Sequence, residues 1–380
     1  MLYSQLLRLA LFCCLLLIVP TSRAAADQKK EVRLAVVLPL KNADETGRRS
    51  MEFYRGLLLA ADHLRNQGIS ARITTLDEGK ENAYLDATLR AAAPTADALV
   101  GFAYTQHALE AASFGLSHEM PVFLPFLQSI PRQVAGNAFA ALFVPDEEAM
   151  AQGVCDLLLS TLGKVQAVVL QSETSEMSAY TQRLTELLDK QGAKVKVLPI
   201  NASPYNIADA LSTKRFNLVL TAATEKDVLR NVAQKLRSVG EANPKKRLAI
   251  VGHPSWYELH EQNQVRWDGV EVFIPTTMFY NAAAEKTKTL LSQYEAWFHD
   301  AAAVASPNAL LLGYDAGWHI ICGMAQAGRS VLQEESKTIG LYTDIQLRPS
   351  RPSRPSACRS NHAVRLLNIK PSGAIDLLAF

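Results

Sequence analysis

Residues 34–64 read "LAVVLPLKNADETGRRSMEFYRGLLLAADHL". The stretch opens apolar, turns polar from Lys41 to Ser50, and then takes up a helical rhythm with Met51, Tyr54, Leu58 and Ala61 on one face. A buried strand that feeds a polar loop and then an amphipathic helix is the opening unit of an α/β fold. The loop between them holds a glycine and several charges. It is a catalytic segment, the mouth of a ligand site, or a connection.

The same unit recurs outward from this stretch. Strands are predicted over 32–38, 70–76, 98–101 and 122–125, and helices over 51–64, 82–93 and 106–117. The pattern restarts after Val144, with helices over 147–162, 178–191, 207–212 and 225–239 and strands over 166–170, 194–198, 218–220, 248–251 and 270–274. Repeated β-α-β units imply mostly parallel sheets covered by helices on both faces. Two further helices, 286–304 and 315–327, arrive after the second half already looks complete. They are expected to pack back on the first half, which makes that lobe discontinuous in sequence.

The amino terminus is set apart. Arg8 precedes an apolar run from Leu9 to Val19, followed by Ala24, Ala25 and Ala26. This is the order of a secretory signal peptide, cleaved near Ala26, and the run is too short to span a bilayer. Phe12 before Cys13 and Cys14 does not fit a lipoprotein signal, so the expected product is exported, periplasmic and free of a membrane span. The remaining cysteines, Cys155, Cys322 and Cys358, are far apart and lack metal-ligand spacing. Cys155 and Cys322 are expected to be unbridged thiols in different lobes. A net charge of +2 gives no electrostatic footprint for nucleic acid.

The catalytic motifs of common enzymes are missing. The chain has no G-x-S-x-G, no phosphate loop, no G-x-G-x-x-G and no H-E-x-x-H. His253, Glu258 and His260 can be drawn as a metal set but read better as an ordinary polar loop, and no cofactor is implied. Ligands in open α/β sheets sit outside the carboxyl ends of the strands, which singles out the loops after each strand. These offer Asn42; Tyr104, Thr105 and Gln106; Gln128 and Ser129; Ser172, Thr174 and Tyr180; Thr221; and Ser255 with Trp256. Hydroxyls, amides and aromatic rings suit recognition of a small polar molecule. Each also has a plainer reading as a solvent-exposed or helix-capping residue. Thr105, at a predicted helix start, is a candidate anion contact.

Three stretches together carry a resemblance: "VRLAVVLPLKN" with "EFYRGLLLAADHLRNQG", then "ADALVGFAYTQHALEAASFGLSHEMPVFLPF", then "GYDAGWHIICGMAQAG". In order and spacing the chain resembles the type I periplasmic binding proteins, in their branched-chain amino acid (Leu/Ile/Val) binding branch, over roughly Val32 to Tyr342. The "EFYRG" wording is nearer still to members from Bacteroidetes, some of them LysM proteins, though no LysM repeat is visible here. The resemblance implies two Rossmann-like lobes with parallel-sheet cores joined by a three-crossing hinge. Crossings are expected near 143–146, 277–281 and 339–343. Lobe 1 would then comprise 27–144 plus 278–338, and lobe 2 145–277 plus 339–380. It also implies a non-enzymatic solute-binding protein, with a ligand carboxylate near 101–106 and 125–129 and an ABC transporter permease as partner. Amino acid, short peptide and cell-wall fragment stay open as ligands. An envelope scaffold that kept the fold is the rival, and an enzyme the remoter one. The arginine- and proline-rich stretch 348–359 reads as a solvated loop leading to a last strand at 364–369.

Overall fold

The computed structural model describes residues 31–79, 84–172, 177–262, 264–267, 269–351 and 353–379. The expected signal peptide, with Cys13 and Cys14, and Thr174 lie outside the described residues.

The first half runs β1 (Val32–Leu38), α1 (Glu45–Asn66), β2 (Ala71–Asp77), α2 (Leu85–Ala92), β3 (Ala98–Gly101), α3 (Thr105–Ser117), β4 (Val122–Leu124) and β5 (Ala140–Leu142). The second runs α4 (Glu147–Leu162), β6 (Val165–Gln171), α5 (Ala179–Lys190), β7 (Lys194–Pro199), α6 (Pro204–Ala210), β8 (Phe216–Thr221), α7 (Lys226–Ala242), β9 (Leu248–Val251), α8 (Trp256–Glu261) and β10 (Glu271–Thr276). Three helices follow, α9 (Glu285–Phe298), α10 (Ala301–Ala305) and α11 (Asn308–Ala327). The chain ends in β11 (Ser336–Thr338), β12 (Ile345–Pro349), β13 (Arg359–Asn361), β14 (Arg365–Ile369) and β15 (Ile375–Ala379).

These strands form two sheets, in the orders β11-β12-β13-β5-β4-β3-β1-β2 and β15-β14-β10-β9-β8-β6-β7. Each has a parallel centre and antiparallel strands at one edge. Successive side chains of a strand point to opposite faces, and here both faces are buried. In β1, Leu34, Val36 and Leu38 enter one core while Ala35 and Val37 enter another. In β6, Ala167 and Val169 face one core, and Val168 and Leu170 the other. The near-continuous apolar runs of the sequence are the consequence.

The late helices return to the first lobe, as the pattern implies. Helix α11 lies directly over α1, and the two backbones meet at glycines. A Cβ on Gly56 would collide with the Leu310 carbonyl, and one on Gly313 with that of Phe53. Helix α1 is therefore covered both by the sheet and by α11. Its buried residues, Phe53, Leu57, Leu59, Ala60 and Leu64, wrap further round than the single face read from Met51, Tyr54, Leu58 and Ala61, which are only partly buried.

Several expectations are corrected. Helix α1 starts at Glu45, because the Asp44 side chain accepts the Gly47 N–H at 3.0 Å and caps it. Such a cap contributes about 1 kcal/mol, and it turns half of the expected loop 41–50 into helix. The helix read over 286–304 is two, α9 and α10, broken at His299 with its φ of 52°. The lobe boundary at 339 also moves. Strands β12 and β13 pair within the first sheet, with Leu347 opposite Asn361 and Arg359 opposite Ala141. The chain passes to the second sheet only between Asn361 and Arg365, where β14 pairs with β10. Segment 339–343 thus stays with the first lobe. The antiparallel ladder of β11, β12 and β13 holds it there, which no apolar pattern announced.

Candidate ligand cleft

In the first sheet the strand order reverses between β1 and β3, and in the second between β6 and β8. Loops diverge at such points and leave a crevice. At the first, Gly101 (φ 127°) and Phe102 (φ 66°) turn the chain sharply, and a Cβ on Gly101 would run into the Val37 carbonyl. The turn aims the N–H groups of Ala103 and Tyr104 at the Glu78 carboxylate, at 2.9 and 3.1 Å. His107 Nδ1 lies 3.0 Å from the same carboxylate. Glu78 is buried, and burial raises its pKa against the opposing pull of these N–H groups and of His107. The protein's own carboxylate thus holds the two N–H groups just before the first turn of α3.

Thr105, expected as an anion contact, follows these two donors as the first residue of α3. Thr105 and Gln106 are exposed, and Gln106 turns along the helix to Glu110 at 3.2 Å. Asn42 and Tyr104 do come together, Asn42 Nδ2 donating to the Tyr104 hydroxyl at 2.6 Å. An acid just past the end of β2, in "LDEG", was the available signal.

At the second reversal Ser172 and Thr221 line one cavity of about 190 Å³, floored by Val169, Leu170 and Val228. The Thr221 hydroxyl also accepts the Ala223 N–H at 3.2 Å. Two expected contacts are lost to the core. Trp256 is fully buried, stacks on Trp267 with centroids 5.1 Å apart, and donates its indole N–H to the Ala223 carbonyl at 2.9 Å. Tyr180 is buried among the apolar side chains of α4 and α5, and burial raises its pKa. Its ring meets His253 edge-on at 5.6 Å. Both side chains follow strand ends in sequence but point into the lobe.

Two adjoining cavities of about 630 and 530 Å³ share Gln128, Met278, Ser306, Asn308 and Tyr342; the larger lies between the lobes, and the smaller is lined by the first lobe and by Met278 of the second crossing. Gln128 and Ser255, from opposite lobes, both line the larger one, while the exposed Ser129 lines neither. The second lobe adds Tyr257, Glu258 and Glu261 from α8. The first lobe adds Arg48, Arg49 and Glu52 from α1 to the smaller cavity. Burial, then the adjacent Glu261 carboxylate, raises the Tyr257 pKa. Tyr342 is pushed up to about 12 by burial and Glu261, with Arg49 pulling the other way. Tyr280, Tyr342 and Glu261 were not singled out by the sequence, because segments between elements carry no periodicity.

The cleft wall at Tyr342 is pinned from behind. Asp315 of α11 accepts the N–H groups of Leu341, Tyr342 and Thr343 at 2.9, 2.8 and 2.9 Å. Burial pushes its carboxyl up to about 6, opposed by those three N–H groups and by Arg365. Arg365, at the start of β14 in the second lobe, pairs with Asp344 at 2.7 Å and donates to the carbonyls of Tyr342 (2.8 Å) and Gly340 (3.0 Å). Phe279 N–H donates to the Tyr342 carbonyl at 2.9 Å, and Met278 bridges Thr343. The second crossing is thus tied to the segment that walls the cleft.

The cleft holds no assembled catalytic set among the described residues. His253 Nδ1 lies 2.8 Å from the Ser255 hydroxyl, but it also accepts the Ser255 N–H at 3.2 Å, which makes the pair a closed local turn. No group of three or more His, Cys, Asp or Glu side chains among the described residues could hold a metal ion.

No protein-family profile matches the chain, and no curated protein is matched by its sequence. Solved structures do match. A protein from Rhodospirillum rubrum, described provisionally as a branched-chain amino acid ABC transporter, is 16% identical with a TM-score of 0.62, covering 92% of this chain and 100% of its own. An ABC-type branched-chain amino acid transporter from Rhodopseudomonas palustris is 13% identical with a TM-score of 0.53, covering 92% and 95%. An ABC transporter substrate-binding protein from Desulfitobacterium hafniense is 15% identical with a TM-score of 0.50, covering 92% and 100%. The fold is that of the type I periplasmic binding proteins. These three matches do not single out the Bacteroidetes group.

Proposed function

We propose that this chain is an exported, non-enzymatic solute-binding protein. It holds a small polar molecule, such as an amino acid or a short peptide, between its two lobes and delivers it to an ABC-type permease. The observation that carries this reading is the larger cleft cavity, which takes its lining from both lobes and from the second crossing at once. A ligand there touches both lobes and favours their closed arrangement, because it gains contacts in that state only. The signal-like start of the sequence and the ABC transport proteins among its fold relatives support export and a permease partner. Among the described residues no helix is long and apolar enough to cross a membrane.

Mass spectrometry of small molecules released from the natively purified protein tests the reading. Small-angle scattering should then give a smaller radius once the released compound is added back. An unchanged radius despite binding measured by calorimetry would sink the closure argument.

One observation favours the rival, an envelope scaffold that kept the fold and lost its ligand. Glu78 holds the Ala103 and Tyr104 N–H groups, within the stretch 101–106 where the resemblance expects a ligand carboxylate. That rival predicts that no compound is released and that no solute alters the radius.

A further inference from the structure

We propose that the ligand is an extended zwitterion of short-peptide class, lying along the crossing side of the cleft with its ammonium end at Glu258 and Glu261 and its carboxylate end at Arg49. The inference rests on the solute-binding reading above and deepens it.

Size comes first. Sites for drug-sized molecules span about 300–1,000 Å³, and each of the two cleft cavities, at about 630 and 530 Å³, reaches that range alone. They adjoin through five shared residues, so the available space is longer than one amino acid requires.

Charge gives the space a direction. Glu258 and Glu261 are one helical turn apart on α8, both exposed, both lining the larger cavity, and neither makes an ion pair among the described residues. Glu261 has the Tyr257 hydroxyl as a neutral neighbour, so both carboxylates keep their charge uncompensated by a cation, repel an anion and favour an ammonium group. The opposite end differs. Arg48 is engaged by Glu45 and lies 4.0 Å from Glu52, whereas Arg49 beside it makes no ion pair among the described residues. Glu45 and Glu52 line the same cavity and Arg49 acts on the Glu52 carboxylate, but Arg49 holds no ion pair there among the described residues and is the cation offered to a ligand anion. Tyr342 lines both cavities and so stands between the two ends.

The middle of the space is neutral. Gln128, Asn308 and Ser306 are common to both cavities and offer amide and hydroxyl groups, with Met278 as the apolar contact. Such groups match the carbonyl and N–H groups of peptide bonds. In the stretch 101–106 Glu78 already holds the Ala103 and Tyr104 N–H groups, whereas Arg49 lines the cavity itself.

The test uses the full exported protein and a random tripeptide library, with a mixture of free amino acids as control. Peptides retained by the protein are counted by mass spectrometry. Retention of tripeptides should exceed that of amino acids at least tenfold. N-acetylation or C-amidation of the library should each lower retention at least tenfold, the scale of one lost charge-assisted contact. The E258Q/E261Q variant should lose the preference for a free amino terminus, and R49Q the preference for a free carboxylate. All three side chains are exposed, so thermal unfolding of the variants should match the parent. Equal retention of amino acids, indifference to end-blocking, or intact preferences in both variants would overturn the proposal. If no peptide is retained but another compound is released from the native protein, the peptide assignment fails and solute binding stands. If nothing is retained or released, both fail.

Discussion

The Glu78 carboxylate accepts the Tyr104 N–H at 3.1 Å, at the point where the chain enters helix α3. An anion belongs at such a helix start, and here the protein supplies one from just past the end of β2, two strands over from β3.

Replacement of Thr105 by Val should therefore leave ligand affinity within about twofold, well below the effect of one lost charged hydrogen bond. Glu78→Ala should cost about 1–3 kcal/mol of stability, since it leaves the partly buried donors at Ala103 and Tyr104 without an acceptor. Calorimetry of the first variant and urea unfolding of the second check the pair. A tenfold affinity loss in Thr105→Val would return the anion contact to that hydroxyl.

Asp315 should give stability a distinct pH dependence. Its folded pKa, about 6, lies above the ordinary 3.8, so the native state holds the proton more tightly. The contribution is full below the unfolded value and is lost as pH rises to about 6. Two units correspond to roughly 3 kcal/mol. The Asp315→Asn variant should remove this slope, read as the difference from the parent in urea midpoints at pH 4 and pH 7. Parallel profiles would show that Asp315 does not titrate there.

The Asp344–Arg365 pair is buried on both sides, at 4% and 5% side-chain exposure. Arg365→Met should cost about 3–5 kcal/mol, because it strands a buried carboxylate. Adding Asp344→Asn should recover much of that loss. If the single variant unfolds at the parental denaturant concentration, the pair does not pin the crossing.

Cys155, Cys322 and Cys358 are free thiols spread over both lobes. Burial pushes Cys155 up to about 11 and raises the other two. Thiolate is the reactive form, so alkylation of the folded protein at pH 8 should be slow, with the partly exposed Cys322 labelled first. Peptide mapping without reduction should find no Cys155–Cys322 bridge.

The amino-acid sequence by itself determined the two α/β halves and the return of α9 and α11 to the first. Those follow from local periodicity and from strands buried on both faces, and both are written in consecutive residues such as 32–38 and 308–327. It also set Asn42, Tyr104, Ser172 and Thr221 in loops after strand ends, while the fold brought Asn42 to Tyr104 and Ser172 to Thr221. Tertiary structure alone decided which way the loop side chains point. Trp256 and Tyr180 lie at the right place in sequence, but apolar surface pulls them into the core, where packing against Trp267 and the α4–α5 side chains outweighs exposure at a cleft. Only the fold brings Glu78 under α3, Asp315 behind Tyr342, and Arg365 onto Asp344. These are contacts between residues 21 to 27 positions apart, the last of them joined across lobes, and no local pattern encodes them. The lobe boundary moved for the same reason. Strand pairing of β12 and β13 is a long-range choice of hydrogen-bond partners, which the composition of a proline- and arginine-rich stretch leaves open.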